Sequence, residues 1–266
     1  MHTNHRFESS RRARWGRVTL ALLFAGVAGL AGCGGGGTTA EVKLPESERP
    51  DIDAAAASSG ALTIPGTAEF NYSAFSSHQT GVGRGESKRS GPAGAMCRAE
   101  CQAGGSAWGE FQFGYTFDNK TGQPLDAVIK LRVKIAENNE AKSSVPVDAP
   151  GAPVATNLLT FFIRDSIGTD LKTTNLLAST VTKGPKTSVN QREEVFDVRF
   201  EPDRGYYLIV SGRSEVQAEE AESLAASVEA SDIAIEITWK PAAASTTAGE
   251  PLESPALAGT PDEPAE

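Results

Sequence analysis

The chain has 266 residues and a formal net charge of −9. That acidic balance excludes a nucleic-acid binder, because phosphates need Lys and Arg to neutralise them. It also excludes electrostatic docking on anionic lipid headgroups.

The first 32 residues have their own composition. Arg11, Arg12, Arg14 and Arg17 form a basic stretch, and the apolar run Val18–Leu30 follows. That run is too short for a spanning helix, which needs ~20 residues. It suits the apolar region of an export signal, typically ~7–15 residues ending at small side chains. Leu30-Ala31-Gly32-Cys33 supplies the small residues and places a cysteine at the junction. The segment resembles a bacterial lipoprotein signal. The resemblance implies cleavage before Cys33, a diacylglyceryl thioether on its sulfur and an N-acyl chain. One acyl chain holds a protein only marginally, whereas two or three anchor it durably. The membrane is thus the first expected partner, through the lipid on Cys33. Gly34 follows Cys33, where inner-membrane lipoproteins carry aspartate, so the resemblance implies the outer membrane or cell surface in a Gram-negative cell. Ser10-Arg11-Arg12 is also similar to a twin-arginine export signal, but the apolar pair and lysine that follow such a motif are missing. An ordinary positive n-region is the preferred reading. Removing residues 1–32 leaves 20 basic and 33 acidic residues, a formal charge of −13.

Residues 33–62 read as the lipid site and a flexible tether. The Gly34–Gly37 run, Pro45, Pro50 and Ala54–Ala57 dominate, and few large apolar residues are present to form a core. As a coil the segment would span roughly 30 Å. Residues 63–240 hold nearly all the aromatic and branched side chains, enough for one domain. Residues 241–266 contain Pro, Ala, Thr and Glu without Lys or Arg and read as a disordered acidic tail.

Within 63–240 the patterning is that of strands. Thr67–Ser76 carries Phe70 and Tyr72. Gly81–Ser90, continuing to Gly104-Gly105, reads as a mobile loop. In Trp108–Asp118, Phe111, Phe113, Tyr115 and Phe117 share one face. In Leu125–Ile135 the odd positions are apolar, while Lys130, Arg132 and Lys134 point the other way. Period-two alternation marks half-buried strands. Asp118-Asn119-Lys120-Thr121-Gly122 supplies a turn, which predicts that these two runs form a hairpin. Leu158–Arg164, Ala178–Thr182, Thr187–Gln191, Glu194–Phe200, Tyr206–Gly212 and Ser231–Lys240 add strands. Ser214–Ala230 favours helix by its Ala and Glu content, but its alternation favours a hairpin of Tyr206–Ala218 with Leu224–Lys240. The fold class is therefore all-β, an antiparallel β-sandwich of jelly-roll type. The stretch from Phe196 through Pro202, Gly205-Tyr206-Tyr207 and Ile233 to Trp239 is similar to the C-terminal half of jelly-roll domains in exported bacterial proteins. That resemblance implies a sandwich and no activity.

Candidate chemistry is sparse. Cys97 and Cys101 are spaced C-x3-C, and an oxidising compartment favours a disulfide closing a small loop. The same spacing occurs in copper proteins of the Sco family, with a distal histidine that only His78 could supply. Those proteins are thioredoxin-like, and no βαβ pattern is present here. Zinc needs about four ligands and at most three are available. No metal and no cofactor is expected. His78 lacks a catalytic partner and reads as a loop histidine. Gly81–Ser90 has glycines and Lys88 but lacks the Gly-Lys-Ser/Thr order of a phosphate loop. Its Arg84, Lys88 and Arg89, with Arg98, suggest a partner-facing surface. Glu110 and Asp118 lie on one strand roughly 27 Å apart, too far for a glycosidase pair. Asp118-Asn119 and Asp165–Asp170 lack EF-hand spacing and suit turns. Trp108 sits on the polar parity of its strand, where an aromatic ring could stack on a sugar or cap the sandwich edge. The expected protein is a lipid-anchored, non-enzymatic envelope component with an envelope protein or polysaccharide as partner. A carbohydrate-binding module using Trp108 is the alternative, and a polysaccharide hydrolase is the third reading.

Overall fold

The alternation read from the sequence appears as strands throughout the domain. The computed structural model describes residues 39–43, 49–52, 59–146, 152–218 and 223–243. Cys33, the signal segment 1–32 and the tail beyond 243 lie outside those residues. The elements are β1 (Thr39–Lys43), β2 (Asp51–Ile52), β3 (Gly60–Ile64), β4 (Tyr72–Arg89), β5 (Ala95–Asn119) and β6 (Leu125–Lys142). They continue with β7 (Val154–Asp165), β8 (Asp170–Val181), β9 (Gly184–Phe200), β10 (Arg204–Gln217) and β11 (Ser223–Pro241). No helix among the described residues is long and apolar enough to cross a membrane.

The main ladder runs β8-β7-β10-β5-β11-β6-β9. The long strand β5 belongs to both layers of an antiparallel β-sandwich. Its Ser106–Asn119 half pairs with β10, and its Ala95–Cys101 half pairs with β11. Where β5 leaves β11, β3 takes its place beside Ile235–Trp239. The layers meet through Phe161 and Phe196, at 5.3 Å between ring centroids, and through Phe117 and Phe200 at 5.1 Å. Phe111, Phe113, Phe117, Ile129, Leu131, Leu208 and Ile235 are each at most 1% exposed. Burial of each such side chain contributes ~1.5–3 kcal/mol. On β11 the inward residues change from even (Ala226, Val228, Ala230) to odd (Ile233, Ile235, Ile237). A bulge between Ser231 and Ala234, with Asp232 at φ 51°, absorbs the change.

Four expectations need correction. First, Trp108–Asp118 and Leu125–Ile135 are strands, but β5 and β6 do not pair. β6 pairs with β9 and β11, and the 120–124 turn is an arch from one layer to the other. Gly122 takes φ 71° there, and the buried Asn119 amide donates to carbonyls of Gln123, Phe200 and Glu201. Alternation fixes the apolar face of a strand and leaves its edge partner open. Second, Ser214–Gln217 and Ser223–Ala230 are strand, as the alternation expected, yet β10 and β11 lie in different layers and share no ladder, so the expected hairpin is not formed.

Third, a stretch of the expected tether packs on the domain. β1 pairs with β4, and β2 lies parallel to the end of β5. Arg49 is 7% exposed and Ile52 6%. A low apolar content does not prevent single residues from docking. Fourth, the glycine-rich stretch 81–105 is a folded-over hairpin of β4 and β5, not a mobile loop. Gly81 (φ 59°) and Gly104 (φ 76°) face each other where both strands turn from one layer into the other. Beyond that corner the two halves of the hairpin lie backbone to backbone. A Cβ on Gly85 would sit 2.2 Å from the Trp108 carbonyl oxygen, and one on Gly109 would sit 2.2 Å from that of Glu86. Ser87 Oγ donates to Ser76 O across the same gap at 2.9 Å.

Candidate functional site

The apolar residues of β5 occupy odd positions, so its even positions face outward. Trp108, Glu110 and Gln112 stand in a row there. In register, Trp108 is flanked by His78 of β4 and Glu215 of β10, and Glu110 by Ser76 and Arg213. The His78 ring stacks on Trp108 with centroids 5.9 Å apart and planes at 29°. From the β10 side, the Arg213 guanidinium carbon lies 4.8 Å from the Trp108 ring centroid. Arg213 also pairs with Glu110 at 3.4 Å and Glu215 at 3.0 Å. Trp108 is half-buried and stands between a histidine and an arginine contributed by opposite neighbouring strands.

The face continues along the strands. The Tyr72 hydroxyl donates to Gln112 Oε1 at 3.0 Å, and the rings of Tyr72 and Tyr207 meet edge-on at 6.0 Å. Tyr72, Phe162 and Ile209 form a small apolar cluster on the outside of this layer. Arginines cover its rim, Arg164 over Phe162 at 5.0 Å and Arg49 over Tyr207 at 4.9 Å. Arg49 additionally donates to the Tyr207 hydroxyl and pairs with Asp118 at 3.6 Å. The result is one broad face with aromatic rings, guanidinium and amide donors, and carboxylate acceptors. That mixture suits a polyhydroxylated ligand, which offers apolar ring faces and hydroxyls together.

Glu110 and Glu215 are brought together on this face, both bonded to the Arg213 guanidinium. Sequence reasoning found Trp108 by parity and missed Arg213, Glu215 and Tyr207. The available signal was the odd outward parity of β10. His78 is corrected from a loop residue to a strand residue stacked on Trp108.

Other candidates are accounted for differently. Cys97 and Cys101 are free thiols, both buried, on one strand. Four residues of extended chain separate their Cα atoms by roughly 13 Å. A disulfide needs ~4.4–6.8 Å, so the expected bond is corrected to two isolated thiols. Burial pushes the Cys97 thiol up to about 12 despite its contact with Ser214 Oγ at 3.4 Å. Asp165 is used by its turn, accepting from Thr169 N at 2.7 Å, and by Arg204 at 3.2 Å. Arg84 and Lys88 pair with Glu86, and Arg98 pairs with Glu100. The Lys88 hydrogen bond holds the Glu86 carboxyl below its usual range. Two carboxylates against four basic side chains leave the patch with a formal excess of two positive charges. A small polar cavity of about 60 Å³ lies among Arg84, Glu86, Arg98 and Glu100. Among the described residues, no group of three or more His, Cys, Asp or Glu is placed to hold a metal.

No family model and no curated protein matches the chain. Solved structures to which the chain shows similarity include a family 11 carbohydrate-binding module from Clostridium thermocellum in complex with a β-1,3-1,4-mixed-linked tetrasaccharide. It is 12% identical, with a TM-score of 0.23, over 60% of this chain and 87% of that one. The enzymatically active domain of bacteriophage CBA120 tailspike protein 4 is 12% identical, with a TM-score of 0.27, over 61% of this chain and 19% of that one. A carbohydrate-binding module of the β-sandwich superfamily is 10% identical, with a TM-score of 0.23, over 60% of this chain and 55% of that one. Likeness at these TM-scores carries no functional argument, so the site is read from its own geometry.

Proposed function

We propose that this chain is a non-catalytic glycan-binding β-sandwich, held at the cell envelope by lipid on Cys33. The observation that carries the binding reading is the outward row His78–Trp108–Arg213 with Glu110, Gln112 and Glu215 beside it. The rings and guanidinium supply apolar and cation–π surface, and the carboxylates and amide supply hydroxyl partners. Glu110 and Glu215 make the row unfavourable for anionic glycans, so neutral polysaccharide is the expected ligand class.

The test is depletion of the protein from solution by a panel of insoluble neutral polysaccharides, using wild type and Trp108→Ala. Retention of wild type with loss in the variant supports the reading. No retention of wild type on any polymer removes it. The anchor is tested separately, by metabolic labelling with a fatty acid. Labelled wild type and unlabelled Cys33→Ser are expected, and label persisting in Cys33→Ser contradicts a lipid on that sulfur.

A further inference from the structure

Apart from the outer face, a chain of polar side chains crosses the alanine-rich end of the core. Ala99, Ala107, Ala141, Ala155 and Ala226 line that end and are at most 2% exposed. Among these small residues, Ser214 Oγ donates to Asn157 Oδ1 at 2.7 Å, and Asn157 Nδ2 donates to Asn139 Oδ1 at 2.8 Å. Asn139 Nδ2 donates to Ser179 Oγ at 3.2 Å, and Lys186 Nζ donates to the same hydroxyl at 2.7 Å. Lys186 Nζ lies 3.2 Å from Glu137 Oε1, which also accepts from Ser188 Oγ at 2.9 Å. Asn139, Asn157 and Glu137 are 0%, 0% and 3% exposed. Lys186 and Asn139 are direct partners in the β6–β9 ladder.

We propose that Lys186 and Asn139 form an intramolecular isopeptide bond, with Glu137 carrying the protons. The groups the reaction needs are together. Lys186 is the nucleophile, and its amine is held by the same hydroxyl that holds the Asn139 amide. Asn139 is the electrophile, and the N–H of Asn157 already polarises its carbonyl oxygen and would stabilise the oxyanion. Glu137 is buried beside the amine, and its second oxygen, Oε2, has no hydrogen-bond partner. That unpaired oxygen is open to accept a proton. The step balances without any further reactant. Glu137 takes a proton from the Lys186 ammonium, and the freed lone pair attacks Asn139 Cγ. The carboxyl proton then passes to Nδ2, the Cγ–Nδ2 bond breaks and ammonia leaves, while Glu137 takes the second proton from the attacking nitrogen and hands it to the departing ammonia. The products are an amide linking β6 to β9 and one ammonium ion, with no change in oxidation state.

The test is peptide mapping of the full chain by mass spectrometry. Trypsin should release a branched peptide joining Ile135–Lys142 to Gly184–Arg192, about 17 Da lighter than the two peptides together because one ammonia is lost. Cleavage after Lys186 should be blocked. Lys186→Arg and Glu137→Gln should each yield unbranched peptides only, with 135–142 separate and cleavage after residue 186 restored, and circular dichroism should confirm that the variants remain folded. Separate peptides from wild type overturn the proposal. So does a branched peptide that persists in Lys186→Arg. Loss of ammonia within an unbranched Ile135–Lys142 peptide, which marks a succinimide at asparagine, also overturns it.

Discussion

The close approach of the two hairpin halves predicts a large effect from the smallest possible side chain. In Gly85→Ala, the new methyl would lie 2.2 Å from Trp108 O and 2.8 Å from His78 O. Both atoms are backbone, so no rotamer change relieves the contact. The Trp108 contact must open by about 1 Å, which means separating two layers that β5 joins covalently. Overpacking of this kind costs ~1–3 kcal/mol, and more where the surroundings cannot yield. The conformational restriction of the unfolded chain returns ~0.4–1 kcal/mol. A net loss of about 2 kcal/mol or more follows, which lowers Tm by ~4–8 °C for a domain of this size. Gly109→Ala opens the same gap from the other side, against Glu86 O and Arg98 O at 2.2 and 2.9 Å. Because both variants open the same interface, the double variant should cost clearly less than their sum. Thermal unfolding of the two singles and the double, with Val82→Ala at a 64% exposed position as control, measures all of this. Single losses below ~1 kcal/mol would show that the layers are not in contact here.

Other consequences are as specific. In native protein Cys97 should resist thiol reagents near neutral pH, because it is buried and its thiol is pushed up to about 12. Unfolding should release two reactive thiols from Cys97 and Cys101, and their absence in denatured, unreduced protein would restore the disulfide. Arg49→Ala should cost about 1–3 kcal/mol in denaturant unfolding, because it takes the buried guanidinium away from the Tyr207 hydroxyl and from Asp118, which is left with Lys120 alone at 3.7 Å; an unchanged midpoint would mean that 49–52 does not dock. Alkaline stability follows from Tyr115, Tyr206 and Cys97, whose groups burial raises from 10.0, 10.0 and 9.0 to about 12. Their native values exceed the unfolded ones, so the neutral forms stabilise the fold fully below pH 9. That contribution is lost as pH rises from 9 to 12. Urea midpoints should fall through this window, less steeply in Tyr206→Phe, and a flat profile would contradict the buried neutral hydroxyls.

The sequence carries the faces of the strands more clearly than their neighbours. Phe111, Phe113, Tyr115 and Phe117 announce an inward row, and the same parity sends Trp108 outward, as observed. The out-of-phase runs Ala226–Ala230 and Ile233–Trp239 even foreshadow the bulge at Asp232. Pairing is another matter. The turn at 118–122 looks the same whether it closes a hairpin or arches across the core, because both require only a reversal. The glycines between 81 and 105 look like a loop because composition cannot distinguish freedom from close contact. Gly85 and Gly109 are required by carbonyls that arrive from residues far along the chain. Cys97 and Cys101 look bonded in the sequence for the same reason, since their separation depends on whether the chain between them is extended. Arg213 and Glu215 join a site only once β10 is known to lie beside β5.

Binding of neutral glycan by the Trp108 face is tested most directly by equilibrium titration with a soluble neutral polysaccharide. Calorimetry on wild type, Trp108→Ala and Arg213→Ala should give saturable binding for wild type. Each variant should be weaker by ~10-fold or more, as expected where a central aromatic or arginine is truncated at a cost above ~1.4 kcal/mol. Binding that survives unchanged in both variants would move the site elsewhere, and no binding by wild type would contradict the claim.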